Sequence, residues 1–251
     1  MLSLRTPQAI ALADAAWAST ERDMARRIMA VFPVDAALLG PVDLQRTVRY
    51  GVTRARARGF ETLGEVCRYV DLALVLGSNF DSDPLLPWAS RILDGPNTPT
   101  ATIDELDAVA IDYLGDVAGE HGEHYTRALL RSRRLRLEHL EGIYDLHEFL
   151  SVLYPAKYQE ARIDRSFGAF VQRVEQLVDE LGFGDVPGAR PCIAAMMFML
   201  GTGFAEDPRW PFVARAMEST GTPTYRLRGL LSRAQRHLER AFTLLRGQEA
   251  A

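Results

Sequence analysis

Residues Leu76–Leu93 read LGSNFDSDPLLPWASRIL, and residues Leu200–Met217 read LGTGFAEDPRWPFVARAM. The two stretches align without a gap. Leu, Gly, Phe, Asp, both prolines and Arg coincide, Ser78 stands opposite Thr202, Trp88 opposite Phe212, and Leu93 opposite Met217. The correspondence extends upstream. Phe32-Pro33 matches Tyr154-Pro155, and Arg58-Gly59-Phe60 matches Leu181-Gly182-Phe183, with single-residue gaps between these anchors. Turn residues and aromatics that recur in one order over such a span point to a duplication. The expected units are residues 6–119 and 128–246, joined by a connecting segment at 120–127.

Each unit reads as helical, because apolar residues recur at helical spacing between capping signals. Thr6-Pro7 opens a helix that carries Ile10, Trp17, Met24, Ile28 and Val31 and ends at Pro33. The spacing of Leu44, Val48, Val52 and Ala55 predicts a second helix over 42–58, with Gly59 as its C′ residue. Thr62/Glu65 and Thr102/Glu105 have capping-box spacing. Asp83-Pro84 and Asp207-Pro208 place a capping carboxylate before a helix-starting proline. In the second half helices are expected over 136–154, 164–181, 189–200 and from Thr222-Pro223 to Leu245, with a frayed GQEAA tail. The expected architecture is all-α, a tandem duplication of a four- to five-helix unit, packed as one bundle or as two lobes.

Composition sets the outer limits. Of 251 residues, 47% are hydrophobic and 25% charged, enough to build a core. The net charge of −4 argues against a protein devoted to neutralising phosphates, so no nucleic-acid partner is expected. The longest apolar run, Cys192–Leu200, is too short to span a bilayer. Without a signal-peptide pattern, the expected location is the cytoplasm. Cys67 and Cys192 each lie in an apolar run, which suits two buried thiols and leaves one disulfide open.

Few residues suggest chemistry. His121 and His124, flanked by Glu120 and Glu123, could face one metal if they lay on a helix, but nothing nearby completes a ligand set. There is no nucleophile elbow, phosphate loop or dinucleotide fingerprint, so neither a catalytic residue nor a cofactor is expected. The arginines at 54, 56 and 58, and at 127, 131, 133, 134 and 136, read as solvated, partly ion-paired helix faces or as a surface for an acidic partner. The repeated motif likewise has two readings. One is architecture. The other is a partner-binding surface made of Phe80, Asp81, Asp83 and Trp88, with Phe204, Glu206, Asp207, Trp210 and Phe212, because aromatic anchors beside charges are common at interfaces.

At LGSNFDSDPLLPWA the chain resembles a group of uncharacterised bacterial helical proteins encoded beside PAAR-like spike or toxin genes of type VI secretion systems. The likeness is best from Phe32-Pro33 to Leu93. The second copy departs from it, with Ala205 for Asp81 and Phe212 for Trp88. The resemblance implies a protein partner, a secreted toxin or a spike component, and a non-catalytic adaptor or chaperone role. A cytoplasmic immunity protein that neutralises the toxin is the alternative, and a metal-dependent enzyme using His121 and His124 is the remaining one.

Overall fold

The computed structural model describes residues 6–163 and 165–249. Among them the chain is helical throughout and contains no strand. The first half runs α1 (Thr6–Val31), α2 (Pro33–Ala57), α3 (Leu63–Leu76), a 3-10 turn at Phe80–Ser82, α4 (Pro87–Leu93) and α5 (Pro99–Ala118). The second half runs α6 (Glu123–Ser132), α7 (Leu137–Leu140), α8 (Leu146–Leu153), α9 (Pro155–Ile163), α10 (Phe167–Glu180), α11 (Ala189–Leu200), α12 (Pro211–Met217) and α13 (Pro223–Glu249). No helix is long and apolar enough to cross a membrane among the described residues.

Local chemistry accounts for most boundaries. In α2, Leu44, Val48, Val52 and Ala55 all lie buried on one face. The helix ends in a Schellman turn, with Gly59 N–H donating to Arg56 O and Phe60 N–H to Ala55 O. The second half repeats this turn at Gly182 and Phe183, which donate to Asp179 O and Val178 O. The Thr62/Glu65 capping box forms, with both reciprocal hydrogen bonds present.

Several expectations need correction. α2 begins at Pro33 and breaks at Gly40 (φ 72°, ψ 169°), so the piece expected over 42–58 is its second part. Thr98, not Thr102, caps α5 by accepting from Ala101 N–H, because Pro99 already sits at the first helical position. The helix expected over 136–154 is split into α7 and α8, and Asp145 caps α8 through His147 N–H and Glu148 N–H. Neither Asp83 nor Asp207 caps a helix, since α4 and α12 start at Pro87 and Pro211. Val31 is exposed although Met24 and Ile28 are buried. The Ile10 side chain, Asp164 and the last two residues lie outside the described residues.

Two apolar clusters result. One, from Met24 to Ala110, lies within α1–α5. The other gathers α6–α13 and takes in Leu85 and Val117 from the first half. The halves also exchange helices. α5 packs on α9 and α13 on α2, so the last helix of each half lies against the other half. Tyr154 Oη–H donates to Val117 O at 3.0 Å, and Arg240 donates to Ala37 O at 2.7 Å. Cys67 is half-buried and Cys192 buried, and both are free thiols.

Candidate functional site

The repeated motif sits where the halves meet. Gly77 (φ 124°) and Gly201 (φ 99°) end α3 and α11 in a backbone region that L side chains rarely adopt. A Cβ added at Gly201 would lie 3.9 Å from Gly77 Cα, so the two chain exits nearly touch. From each exit the motif reaches into the other half. Asp207 accepts from Ser78 N–H at 3.1 Å and from Ser78 Oγ–H at 2.7 Å. Asp83 accepts from Thr202 N–H at 3.1 Å. Each carboxylate also fixes its own turn, Asp83 through Leu85 N–H (2.8 Å) and Asp207 through Arg209 N–H (2.9 Å). All four hydrogen-bonding residues of this exchange are buried, which makes it a structural seam.

That geometry decides what remains of the candidate partner surface. Phe80, Asp81, Asp83, Trp88, Phe204, Asp207 and Phe212 are buried and committed to contacts within the chain. Glu206 is exposed and Trp210 half-buried. These two line an open groove of about 500 Å³ between α2 and α12, with Pro208, Ala214, Asp43 and Arg215.

Asp81 belongs to a different network, confined to the first half. It is paired with Arg54, accepts from Arg58 Nε–H at 3.2 Å and from Tyr69 Oη–H at 2.9 Å. Burial disfavours the Asp81 charge, but the hydrogen bonds from Arg54 and Tyr69 and the two guanidinium charges hold its pKa below the usual carboxylate range. Thus Arg54 and Arg58 serve a buried carboxylate, while Arg56 lies over the Trp17 ring at 5.0 Å. At the end of α6 Arg133 pairs with Glu239 at 2.6 Å, and Arg131 donates to Leu153 O.

A cavity of about 560 Å³ lies at the seam. Its walls are mostly apolar, among them Leu38, Leu76, Val117 and Met199, with Tyr125 and Trp210 as aromatic edges. Three charged residues also line it: Asp35, Lys157 and Arg209. Arg209 is buried and tied down, donating to Asp207 through Nε and Nη2 and to Leu74 O through Nη1 at 2.7 Å. Lys157, the only lysine in the chain, donates to Phe198 O at 2.8 Å. Leu74 and Phe198 occupy corresponding positions near the ends of α3 and α11. Each helix end therefore presents a carbonyl with no intrahelical partner to one cation, as the helix dipole favours. Burial pushes the Lys157 ammonium down, with Asp83 opposing. Burial also raises the Asp35 carboxyl, with Arg209 opposing, and pushes the Tyr125 phenol up to about 12.

No family model matches the chain, and neither a curated protein nor a solved structure does.

The histidines do not converge. His121 sits in the turn before α6, so the helical spacing that would align it with His124 is missing. His124 Nδ1 lies 3.4 Å from Asp116 O. Among the described residues no group of three His, Cys, Asp or Glu side chains could hold a metal ion. His237 is half-buried, with its ring 4.8 Å from Trp210 and 5.7 Å from Phe212. Burial, with Arg240 and Arg209 adding to it, pushes its pKa down to about 4. Sequence reasoning did not find Asp35, Lys157 and Tyr125 as lining residues. The signals available were the singularity of Lys157 and the place of Asp35 and Lys157 two residues after the matched prolines.

Proposed function

We propose that this chain is a non-catalytic protein-binding module, an adaptor or chaperone for a secreted toxin or spike component of a type VI secretion system. What carries the reading is the groove between α2 and α12. It leaves Glu206 exposed and one side of the half-buried Trp210 accessible beside prolines, with Asp43, Arg46, Arg215 and Glu218 around it. An aromatic anchor ringed by charges is the anatomy of a protein interface. The seam supports it by joining the two halves, so the groove is preorganised and less ordering free energy is lost on binding. We further propose that the halves arose by duplication. Support comes from the parallel order of elements once Gly40 divides α2, the paired Schellman turns and the reciprocal helix exchange.

The test is an affinity purification of the tagged chain from its native host, compared with an Ala214→Arg, Glu206→Arg variant. Both positions are exposed, so the variant should fold as the wild type does. A toxin or spike component at near-stoichiometric yield, lost in the variant, is the expected result. Recovery of the same partner with the variant would remove the groove from the interface. Deletion of the gene then separates the roles. An adaptor's loss stops toxin delivery, whereas loss of an immunity protein leaves the cell open to its siblings' toxin.

A further inference from the structure

Two charges that line the seam cavity, Asp35 and Lys157, make no ion pair at contact distance among the described residues. Among the described residues no carboxylate lies within ion-pair distance of Lys157; its ammonium donates to Phe198 O and lies 5.4 Å from the centre of the Phe198 ring. Asp83 acts on it from farther away, with both of its oxygens engaged by backbone N–H groups. Asp35 likewise makes no ion pair at contact distance and feels Arg209 only at longer range. Arg209 is itself neutralised by Asp207. Capping the end of α11 accounts for the position of Lys157 and, through the helix dipole, for part of its charge, but it supplies no ionic partner. Both side chains are half-buried, and a charge beside mostly apolar walls loses part of its hydration, so a ligand that supplies the opposite charge is favoured there.

The two charges are related. Asp35 and Lys157 each stand two residues after the matched prolines Pro33 and Pro155. They approach the cavity from α2 and α9, one from each half. The cavity therefore offers an anionic residue from one half, a cationic residue from the other, and apolar walls. A fatty acid would complement Lys157 and oppose Asp35, and an amine would do the reverse. Only a ligand with separated opposite charges satisfies both. The volume of about 560 Å³ lies within the range of small-ligand sites.

We propose that the seam cavity binds a short apolar peptide with free ends, its ammonium toward Asp35 and its carboxylate toward Lys157. This site shares the Trp210 side chain with the groove assigned to a protein partner, but its two charged residues lie outside that groove, so the proposal stands or falls without it.

The test titrates the full chain, by calorimetry, with leucyl-alanyl-leucine, with its N-acetyl and C-amide forms, and with decanoate. The free tripeptide should bind, and blocking either end should weaken binding at least tenfold. In Asp35→Asn the N-acetyl block should lose its effect, and in Lys157→Met the C-amide block should lose its effect. Because Lys157→Met removes a helix-end hydrogen bond, the wild type supplies a second readout. The chain has one lysine, so saturating tripeptide should protect Lys157 from acetylation, read as one fewer acetyl group in the intact mass. Equal binding of blocked and free peptides would overturn the proposal, leaving an apolar hole. Decanoate binding as tightly as the tripeptide would overturn it in favour of an anion site. No binding, or no protection of Lys157, would overturn it outright.

Discussion

At the scale of single residues, the two halves solve one packing problem in opposite ways. The network of Arg54, Arg58, Tyr69 and Asp81 has Leu177, Leu181, Ile193 and Ala205 at the corresponding positions, all of which pack into the second cluster. Charged and apolar solutions can be of similar stability when exchanged as sets, whereas removing one member strands the rest. Asp81→Ala should therefore cost about 3 kcal/mol, since Arg54 and Arg58 keep their part-buried charges. Replacing the set together, by Arg54→Leu, Arg58→Leu, Tyr69→Phe and Asp81→Ala, should recover most of that loss in urea unfolding. A set replacement as damaging as Asp81→Ala alone would refute the argument. His237 supplies a second residue-scale effect. Its folded pKa of about 4 lies below the ordinary value of 6.5, so the unfolded chain binds the extra proton first as pH falls. Stability should drop between about pH 6.5 and 4, by about 2–3 kcal/mol relative to His237→Phe, and then level off. Parallel pH profiles for wild type and variant would contradict this.

At the scale of elements, caps decide boundaries, and a cap can be outcompeted by one a few residues upstream. Thr102/Glu105 has capping-box spacing, but Thr98-Pro99 starts α5 a turn earlier and leaves Thr102 buried inside the helix. Thr98→Ala should cost about 1 kcal/mol. Glu105→Ala, which removes only an exposed bond from Asn97, should stay within about 0.5 kcal/mol. Equal losses from both changes would return the cap to Thr102. This contrast shows what the chain made legible. Helix content, the apolar face of α2, the glycine stops and the aligned motifs could all be read, because each rests on residues close in sequence. The split of the segment 136–154 could not, since its periodicity continues across the Asp145 cap. Asp83 and Asp207 were read as local caps because their real partners, Thr202 and Ser78, lie in the other half. The cavity was hidden for the same reason. Its lining residues come from α2, α3, α5, α6, α9, α11 and α13, and nothing local marks them.

At the scale of the molecule, the seam determines whether two clusters behave as one body. Each half has its own buried core and enough chain to fold as a small domain. Their union rests on three kinds of contact: the paired carboxylate bonds around Gly77 and Gly201, Leu85 and Val117 inserted into the second cluster, and the exchange of α5 and α13. The buried carboxylate bonds matter most for coupling, because removing Asp83 or Asp207 leaves buried N–H donors without acceptors across the junction. Wild type should therefore unfold in a single calorimetric transition, with equal van't Hoff and calorimetric enthalpies. Asp83→Ala should lower the midpoint and keep one transition, since the bonds to Asp207 still bridge the halves. Asp83→Ala with Asp207→Ala should resolve two transitions, because Asp207→Ala also releases the Arg209 guanidinium into the seam. A double variant that still melts in one step would mean that the exchanged helices and the inserted Leu85 and Val117 suffice to unite the halves. The cavity would then be held open by α5 and α13 rather than by the paired motifs.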